Sequence, residues 1–255
     1  MRHPSRVVRA LFTLLLTFPV APALAAQEEP PSPDGPGRQP AWSVEVTPFV
    51  GAFVPLAELF EFSATGIIPG TVVPAEVTLV GKQKSSLAMG GRVSGWFNAR
   101  LGVEGTFTYA FSDLDVTRTR RATTVTLTDE RTVGANVWTA AVRVLYRLAA
   151  IDRSAVVLLG AGPVIVSRGG DAFDAPAFDF PSTGSVSGTT DLGGVIDLGV
   201  RIDASSRVAI RLDAEAYMYS ASLSFADPVF AGEVLTSNSK FQTDLVLSAG
   251  LAIGL

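Results

Sequence analysis

Residues 241-FQTDLVLSAGLAIGL-255 give the clearest indication of the fold. Apolar side chains recur at nearly every second position, from Phe241 through Leu245 and Leu251 to Leu255, and the positions between them are mostly small or polar. This period of two is typical of a β-strand with one apolar and one polar face. The stretch is also much longer than the strands of soluble proteins, which average about 5–6 residues.

The same alternation occurs in seven further segments. A membrane-crossing strand that is tilted by about 45° needs about 9–11 residues, and most of the segments reach that length. The segment at 155–166 is apolar on both faces, so its phase stays open. Pro48 and Pro163 fall inside strands, where bulges or local irregularities are expected. The segments are 42–50, 86–97, 101–111, 138–146, 155–166, 191–202 and 208–218.

The connections between these segments alternate in length. Residues 98–100, 147–154 and 203–207 are short links, whereas 54–85, 112–132, 167–190 and 226–240 are long. Short turns at one end and long loops at the other are typical of outer-membrane barrels. The sequence therefore predicts an all-β fold, a closed antiparallel up-and-down eight-stranded transmembrane β-barrel over residues 42–255.

Alternation alone does not say which face of the sheet is outside. In a soluble periplasmic barrel or sandwich the apolar face would point inward, and in a membrane barrel it would point outward. The polar face is mostly Gly, Ser, Thr and Ala, which suits the narrow lumen of eight strands. Aromatic side chains on the apolar face gather near both strand ends, as interfacial girdles do. Both features favour the membrane arrangement. The aromatic residues are Trp42, Phe97 and Tyr146 at one end, and Tyr109, Phe111, Trp138 and Phe241 at the other.

Charged side chains of both signs lie on the polar faces and are predicted to point into the lumen. Charges removed from water must be paired and hydrogen-bonded. We therefore expect a salt-bridge network that plugs the barrel; the alternative is a conducting or proton-relay path. The predicted network consists of Glu45, Arg92, Glu104, Arg143, Asp197, Arg201, Arg211, Asp213, Glu215 and Asp244.

The amino-terminal residues have the features of an export signal. Residues 1–25 contain three Arg, a short apolar core and the small-residue site Ala23-Leu24-Ala25, which predicts a signal peptide cut after Ala25. Residues 26–41, rich in Pro, are predicted to be a disordered linker. We expect export and location in the cell outer membrane. Since the whole chain carries −4 and the signal +3, the mature chain carries −7. A chain this acidic is a poor nucleic-acid binder.

The residue types needed for most catalytic and metal sites are missing. The sequence has no Cys, and its one His is His3 in the predicted signal. A mature chain without His lacks the usual general base near neutral pH. Asp213 and Glu215 share the lumen face with Arg211, a pattern that favours an ion network over a catalytic dyad. We expect no catalytic, cofactor-binding or metal-binding residues and no cofactor.

Two long loops carry signals for partners. Thr and Arg alternate in the second loop, which suggests a hairpin that continues above the membrane, and Arg118, Arg120 and Arg121 are candidates for contact with lipopolysaccharide phosphates. Ordinary surface Arg is the alternative. The first loop, 54–85, is too apolar for a free loop. It either folds over the barrel mouth or contacts lipid or a small apolar ligand. We expect a monomer in contact with outer-membrane lipid.

The signal peptide, eight alternating segments, unequal connections and charged polar faces resemble the small OmpA/OmpX-type outer-membrane barrels. The resemblance covers residues 42–255 and is one of architecture. It implies a structural or interaction role at the cell surface without catalysis. The apolar first loop keeps an alternative open, an OmpW-like pore or binding barrel for small hydrophobic molecules.

Overall fold

The structure is a computed structural model. It describes residues 43–67, 74–122, 125–150, 155–174, 186–187, 189–205, 207–226, 234–236 and 240–255. The predicted signal peptide and the Pro-rich linker lie outside the described residues.

Strands make up nearly all of the described chain. In chain order they are β1 (Ser43–Pro55), β2 (Phe60–Ile67), β3 (Pro74–Gln83), β4 (Ser86–Trp96), β5 (Leu101–Ala110), β6 (Asp113–Ala122), β7 (Thr126–Gly134), β8 (Asn136–Ala150), β9 (Ala155–Gly169), β10 (Val186–Ser187), β11 (Thr190–Asp203), β12 (Val208–Ala221), β13 (Ser224–Ala226), β14 (Val234–Thr236) and β15 (Lys240–Gly254). One short helix, α1 (Asp171–Asp174), follows β9. No helix among the described residues has the length and apolar character needed to cross a membrane.

Eight of these strands form a closed antiparallel barrel. Their order around the barrel is β1, β4, β5, β8, β9, β11, β12, β15 and back to β1, which is also their order along the chain. The predicted up-and-down eight-stranded barrel is therefore confirmed. We follow the paired residues from strand to strand, starting at Val44 of β1. After one circuit of the barrel the pairing returns to β1 at Val54, so the strands are staggered by ten residues. A stagger of this kind accompanies strands tilted by about 35–45°.

Both prolines lie within barrel strands without shifting the register. The β1–β15 ladder pairs Val46 with Ile253 and resumes at Phe49 with Gly250 in the same register, so Pro48 falls in a local gap. Pro163 falls in a similar gap of the β8–β9 ladder. The shift in that ladder lies elsewhere, between Arg147 and Ala149. The ladder thus tolerates each missing N–H as a local irregularity.

The long connections contain additional strands. β2, β3, β6 and β7 form a four-stranded sheet in that order, which we call the extension sheet. β6 and β7 form the hairpin predicted for the second loop, and the apolar first loop forms the hairpin β2–β3 beside it. β10, β13 and β14 form a small three-stranded sheet from the other two connections. The long connections therefore contribute two small sheets among the described residues.

The barrel wall has an apolar outer surface, and its interior holds both charged and apolar side chains. Val50, Leu87, Val144, Leu198 and Leu247 are each about half exposed on the outside. On β9, whose phase the sequence left open, Leu158, Val164 and Val166 are buried in the interior. A contiguous apolar band around a folded barrel is unfavourable in water and suits lipid.

Candidate functional site

Seven charged side chains meet in the centre of the barrel, and we call them the central network. Each is exposed by no more than 1% at the side chain. Five barrel strands contribute them, because the inward positions of the strands face one another across a narrow lumen. The network consists of Arg92, Arg143 and Arg211 with Glu104, Asp197, Asp213 and Glu215.

Arg92 connects two carboxylates of the same strand. Its Nη2 lies 2.6 Å from Glu215 Oε1, and its Nη1 lies 3.1 Å from Asp213 Oδ2. Nη2 also donates to Ser248 Oγ at 2.8 Å, and the guanidinium carbon lies 3.9 Å from the centre of the Phe49 ring. The two carboxylates considered as a dyad thus share Arg92, and each has a second arginine partner, Arg211 for Asp213 and Arg143 for Glu215.

Glu104 is the most connected carboxylate of the network. Arg143 donates to its Oε1 from Nε at 2.9 Å and from Nη2 at 2.5 Å. Arg211 donates to both of its oxygens, and Ser94 Oγ donates to Oε2 at 2.5 Å. The same Arg143 Nη2 lies 2.7 Å from Glu215 Oε1. Charge-assisted bonds of this kind are stronger than neutral ones and fix the planes of both partners.

Asp197 is held more loosely. Its Oδ2 lies 3.5 Å from Arg211 Nη2 and 3.9 Å from Arg143 Nη1. Its Oδ1 is buried without a hydrogen-bond partner among the described residues. With Asp197 ionised, the central network holds four carboxylates against three guanidinium groups.

The other three predicted lumen residues lie apart from the central network. Arg201 Nη2 donates to Glu45 Oε1 at 3.1 Å, and Arg201 also pairs with Asp203 near the short-turn end. Asp244 accepts a hydrogen bond from the Tyr219 hydroxyl nearer the long-loop end. All ten residues of the predicted set are buried, in one large group and two smaller ones.

The sequence missed some buried polar residues that belong to the same interior. Arg168 is buried, its Nη1 donates to Asp191 Oδ2 at 2.7 Å, and its guanidinium lies 5.0 Å from the Tyr219 ring. Tyr217 donates to Glu215. Arg168 was missed because β9 is apolar on both faces. Arg168 lies two residues after Val166, on the same face of β9 as the buried Val164. This position was the signal that its side chain points into the interior.

Apolar side chains fill the lumen on the long-loop side of the central network; we call this group the mouth cluster. Phe53 and Val137 of the barrel wall pack there with Phe60 and Leu79 of the first loop. The Phe60 ring covers Gly81, where an added Cβ would lie 2.3 Å from two ring carbons. The first loop is therefore apolar because it supplies part of a buried core. Other members include Leu59, Leu114, Val116, Val166, Ala172, Phe173 and Leu223.

A smaller apolar group occupies the short-turn end. Trp96, Leu145 and Leu158 are almost fully buried together. The Arg147 guanidinium lies 3.8 Å from the centre of the Trp96 ring and donates to the carbonyl of Ala99 at 3.2 Å. Together with the central network and the mouth cluster, this group places buried side chains at three levels of the lumen.

The structure does not gather the three arginines of the second loop into one site. Arg118 lies on the face of the extension sheet that carries the buried Leu79, and its Nη2 pairs with Asp129 at 2.9 Å. Arg121 lies on the opposite face and is exposed. Arg120 sits between Val77 and Leu127 in the register, and its side chain is outside the described residues. Alternation along β6 thus sends Arg118 and Arg121 to opposite faces, and contact of the second-loop arginines with lipopolysaccharide phosphates stays a prediction.

No group of three or more metal-ligating side chains is arranged to hold an ion within the described ranges. The four central carboxylates face guanidinium groups, which occupy the positions that a cation would take.

Comparison with solved structures shows the fold. The chain resembles the outer membrane protein OprG from Pseudomonas aeruginosa, with a TM-score of 0.53 and 12% identity over 84% of this chain and 96% of that one. It also resembles the outer membrane protein AlkL, solved by solid-state NMR in DMPC lipid bilayers, with a TM-score of 0.46 and 12% identity over 91% and 97% of the two chains. No family model and no curated protein matches the sequence. This chain shares its barrel fold with an outer-membrane protein.

Proposed function

We propose that this chain is an exported outer-membrane barrel with a closed lumen and a structural or interaction role at the cell surface. The observation that carries the proposal is the filled interior. A charged central network lies between two apolar groups, and the side chains of all three are buried. The barrel then acts as an anchor that holds the extension sheet above the outer leaflet.

The apolar outer surface supports the membrane placement. Outward-facing aromatic side chains lie near both strand ends, with Phe97 and Tyr146 at the short turns and Phe111 and Phe241 at the long connections. Such girdles sit at the two membrane interfaces. The signal-like residues 1–25 support export, with cleavage after Ala25. Intact-mass measurement and membrane fractionation test both statements, and a mature chain found soluble in the periplasm would contradict them.

Single-channel recording tests the closed lumen. The purified barrel is inserted into a planar lipid bilayer, with a large open porin in the same bilayer as the control for sensitivity. We expect no conductance steps above background from this chain. Stable, ohmic steps in the wild type would show a solvated path through the central network.

A second measurement separates the proposal from the alternative of a pore for small hydrophobic molecules. Vesicles with and without the barrel are loaded with a binding protein that fluoresces with an apolar dye, and dye is added outside. The structural role predicts the same uptake rate for both, because the mouth cluster fills the entrance. Faster uptake in barrel-containing vesicles would support the transport function in its place.

A further inference from the structure

A concave cavity of about 560 Å³ lies on the outer face of the extension sheet. Leu79, Gly81 and Gln83 of β3 point toward the buried interior, so Val80, Lys82 and Lys84 lie on the opposite, outward side. On β6 the buried Leu114 and Val116 likewise leave Asp115 and Thr117 outward. The cavity volume is in the range of small-molecule sites, about 300–1,000 Å³.

The cavity lies just above the apolar belt of the barrel. Phe111 is half exposed on the outer face of the barrel. Asp115 of β6 lies on the same face, four residues further along the chain. Four residues of strand span about 13 Å, and a tilt of about 45° reduces this to roughly 9 Å of height. The headgroup layer of a bilayer is about 5–8 Å thick on each side. The cavity therefore faces the level at which lipid headgroups and their sugars lie.

The chemistry of the lining is mixed. Lys82, Lys84 and Arg131 are among the cavity residues, and so are Asp115 and Glu130. Lys84 Nζ lies 3.5 Å from Asp115 Oδ1 with both side chains nearly half exposed, and Thr132 Oγ1 donates to the same oxygen at 2.6 Å. Lysines bind phosphate as point charges. Carboxylates and hydroxyls accept and donate hydrogen bonds as sugar hydroxyl groups require.

Hydroxyl side chains continue from the cavity away from the membrane. The register places Ser63, Thr78, Thr119 and Thr128 side by side across all four strands of the extension sheet. The Ser63 and Thr78 hydroxyls are 3.0 Å apart. With increasing distance from the membrane, the outer face thus presents first the apolar belt of the barrel, then cationic side chains with carboxylates, and then hydroxyl side chains. An amphiphile with acyl chains, a phosphate and sugars has the same order of groups.

We propose that this cavity binds the phosphorylated sugar headgroup of an outer-leaflet glycolipid. Lys82 and Lys84 contact a phosphate, and Asp115, Thr117 and Glu130 contact sugar hydroxyl groups. The proposal rests on the membrane placement under the proposed function, and it concerns the lysines of the first loop, separately from the predicted contact of the second-loop arginines.

Titration with two lipids tests the proposal. The folded barrel in detergent is titrated with diphosphoryl lipid A or with phosphatidylglycerol, and bound lipid is counted by native mass spectrometry. We expect a saturable single lipid A on the wild type, and about tenfold weaker binding to the Lys82→Gln, Lys84→Gln variant, since two charge-assisted contacts are lost. Phosphatidylglycerol, which is anionic but carries no sugar, should bind more weakly and without saturation at one copy.

Matched variants serve as controls. Arg100→Gln with Arg207→Gln removes two exposed cations from the short turns, at the other end of the barrel, and should leave lipid A binding unchanged. Thr117→Val with Glu130→Gln should weaken lipid A binding while phosphatidylglycerol binding stays the same. The proposal is overturned if the Lys82/Lys84 variant binds lipid A like the wild type, if the short-turn variant loses as much, or if both lipids bind alike.

The membrane placement is checked separately with phosphatidylcholine vesicles that contain no glycolipid. If the wild type inserts into these vesicles but shows no preference for lipid A in the detergent titration, only the cavity proposal is contradicted. Failure of the wild type to insert would defeat the membrane placement itself.

Discussion

At the scale of single residues, each arginine of the central network contacts more than one carboxylate. Arg143 contacts both Glu104 and Glu215, and Arg92 contacts both Asp213 and Glu215. A buried charge without a partner has lost its hydration and has no ion pair or hydrogen bond to compensate for the loss. Removing one of the three central cations therefore leaves four buried carboxylates with two guanidinium groups, whereas removing an exposed cation leaves the buried balance unchanged.

Arg143→Ala should lower the free energy of unfolding by about 3–5 kcal/mol, the range for breaking a buried ion pair. The measurement is the temperature at which the barrel changes from folded to unfolded mobility on gels of unheated and heated samples. Arg121→Ala, at an exposed site of β6, is the control and should melt with the wild type. If both variants melt like the wild type, the interior is solvated and the network does not close it.

A second residue-scale prediction concerns depth in the membrane. Leu198 on the barrel wall is 55% exposed and Leu127 on the extension sheet is 56% exposed, so the two differ in position rather than in exposure. Leu198→Arg should cost about 2–4 kcal/mol in lipid vesicles, because it places a cation near the bilayer midplane. Leu127→Arg should cost almost nothing. Equal denaturant midpoints for the two variants would mean that the outer wall does not face lipid.

At the scale of elements, the long connections are held by packing onto the barrel. Phe60 of β2 and Leu79 of β3 are buried in the mouth cluster. Leu59 N donates to the carbonyl of Gly81 at 2.8 Å, which ties the start of β2 to the end of β3. Lys240 Nζ contacts Glu61 at 3.0 Å and Glu58 at 3.6 Å, and these contacts join the first loop to β15.

Phe60→Ala should open the extension sheet and leave the barrel folded. Removing a buried Phe side chain costs about 3–5 kcal/mol, and the loss falls on the first-loop hairpin because the barrel ladders do not include it. Limited proteolysis with mass analysis should show cuts within residues 56–85 and an intact barrel. Val125→Ala, at the exposed hairpin tip, should be as resistant as the wild type. A variant that loses the whole barrel would show that the extension and the barrel unfold as one unit.

At the scale of the whole molecule, the charges fall into two classes with different responses to salt. The central network is shielded from solvent, whereas pairs such as Lys84–Asp115 and Arg118–Asp129 lie at the surface. At 1 M salt the Debye length is about 3 Å, so surface pairs are screened while buried pairs are not. A closed, dry lumen and an open, hydrated one therefore predict different behaviour.

Raising NaCl from low concentration to 1 M should shift the melting temperature of the barrel by no more than roughly 2 °C, since surface pairs contribute little to stability. The same unheated-gel or circular-dichroism melting curves measure the shift. The Arg143→Ala variant is the internal comparison, because its uncompensated carboxylates should draw in water and cations and make its stability depend on salt. A strong salt dependence in the wild type would indicate a hydrated lumen.

The barrel can be predicted from the amino-acid sequence, because a strand in a closed sheet repeats every two residues and the repeat can be read locally. The alternation marks the eight strands, and the residues left between them give the unequal connections. Its polar positions give the ten charges that point inward. Which carboxylate each arginine contacts did not follow, since Arg92 and Glu215 are 123 residues apart and meet only after the barrel closes. Arg168 stayed hidden because β9 is apolar on both faces.

The role of the first loop, and the sheet face on which each second-loop arginine lies, depend on the tertiary structure. Local composition marks residues 54–85 as apolar but cannot say whether lipid, ligand or protein covers them; the β2–β3 hairpin buries Phe60 and Leu79 against the barrel wall. Adjacent arginines look like one basic patch in a sequence. Once β6 joins a sheet, its alternation separates Arg118 from Arg121, and the pairing of β3 with β6 brings Lys84 to Asp115 at the rim of a cavity.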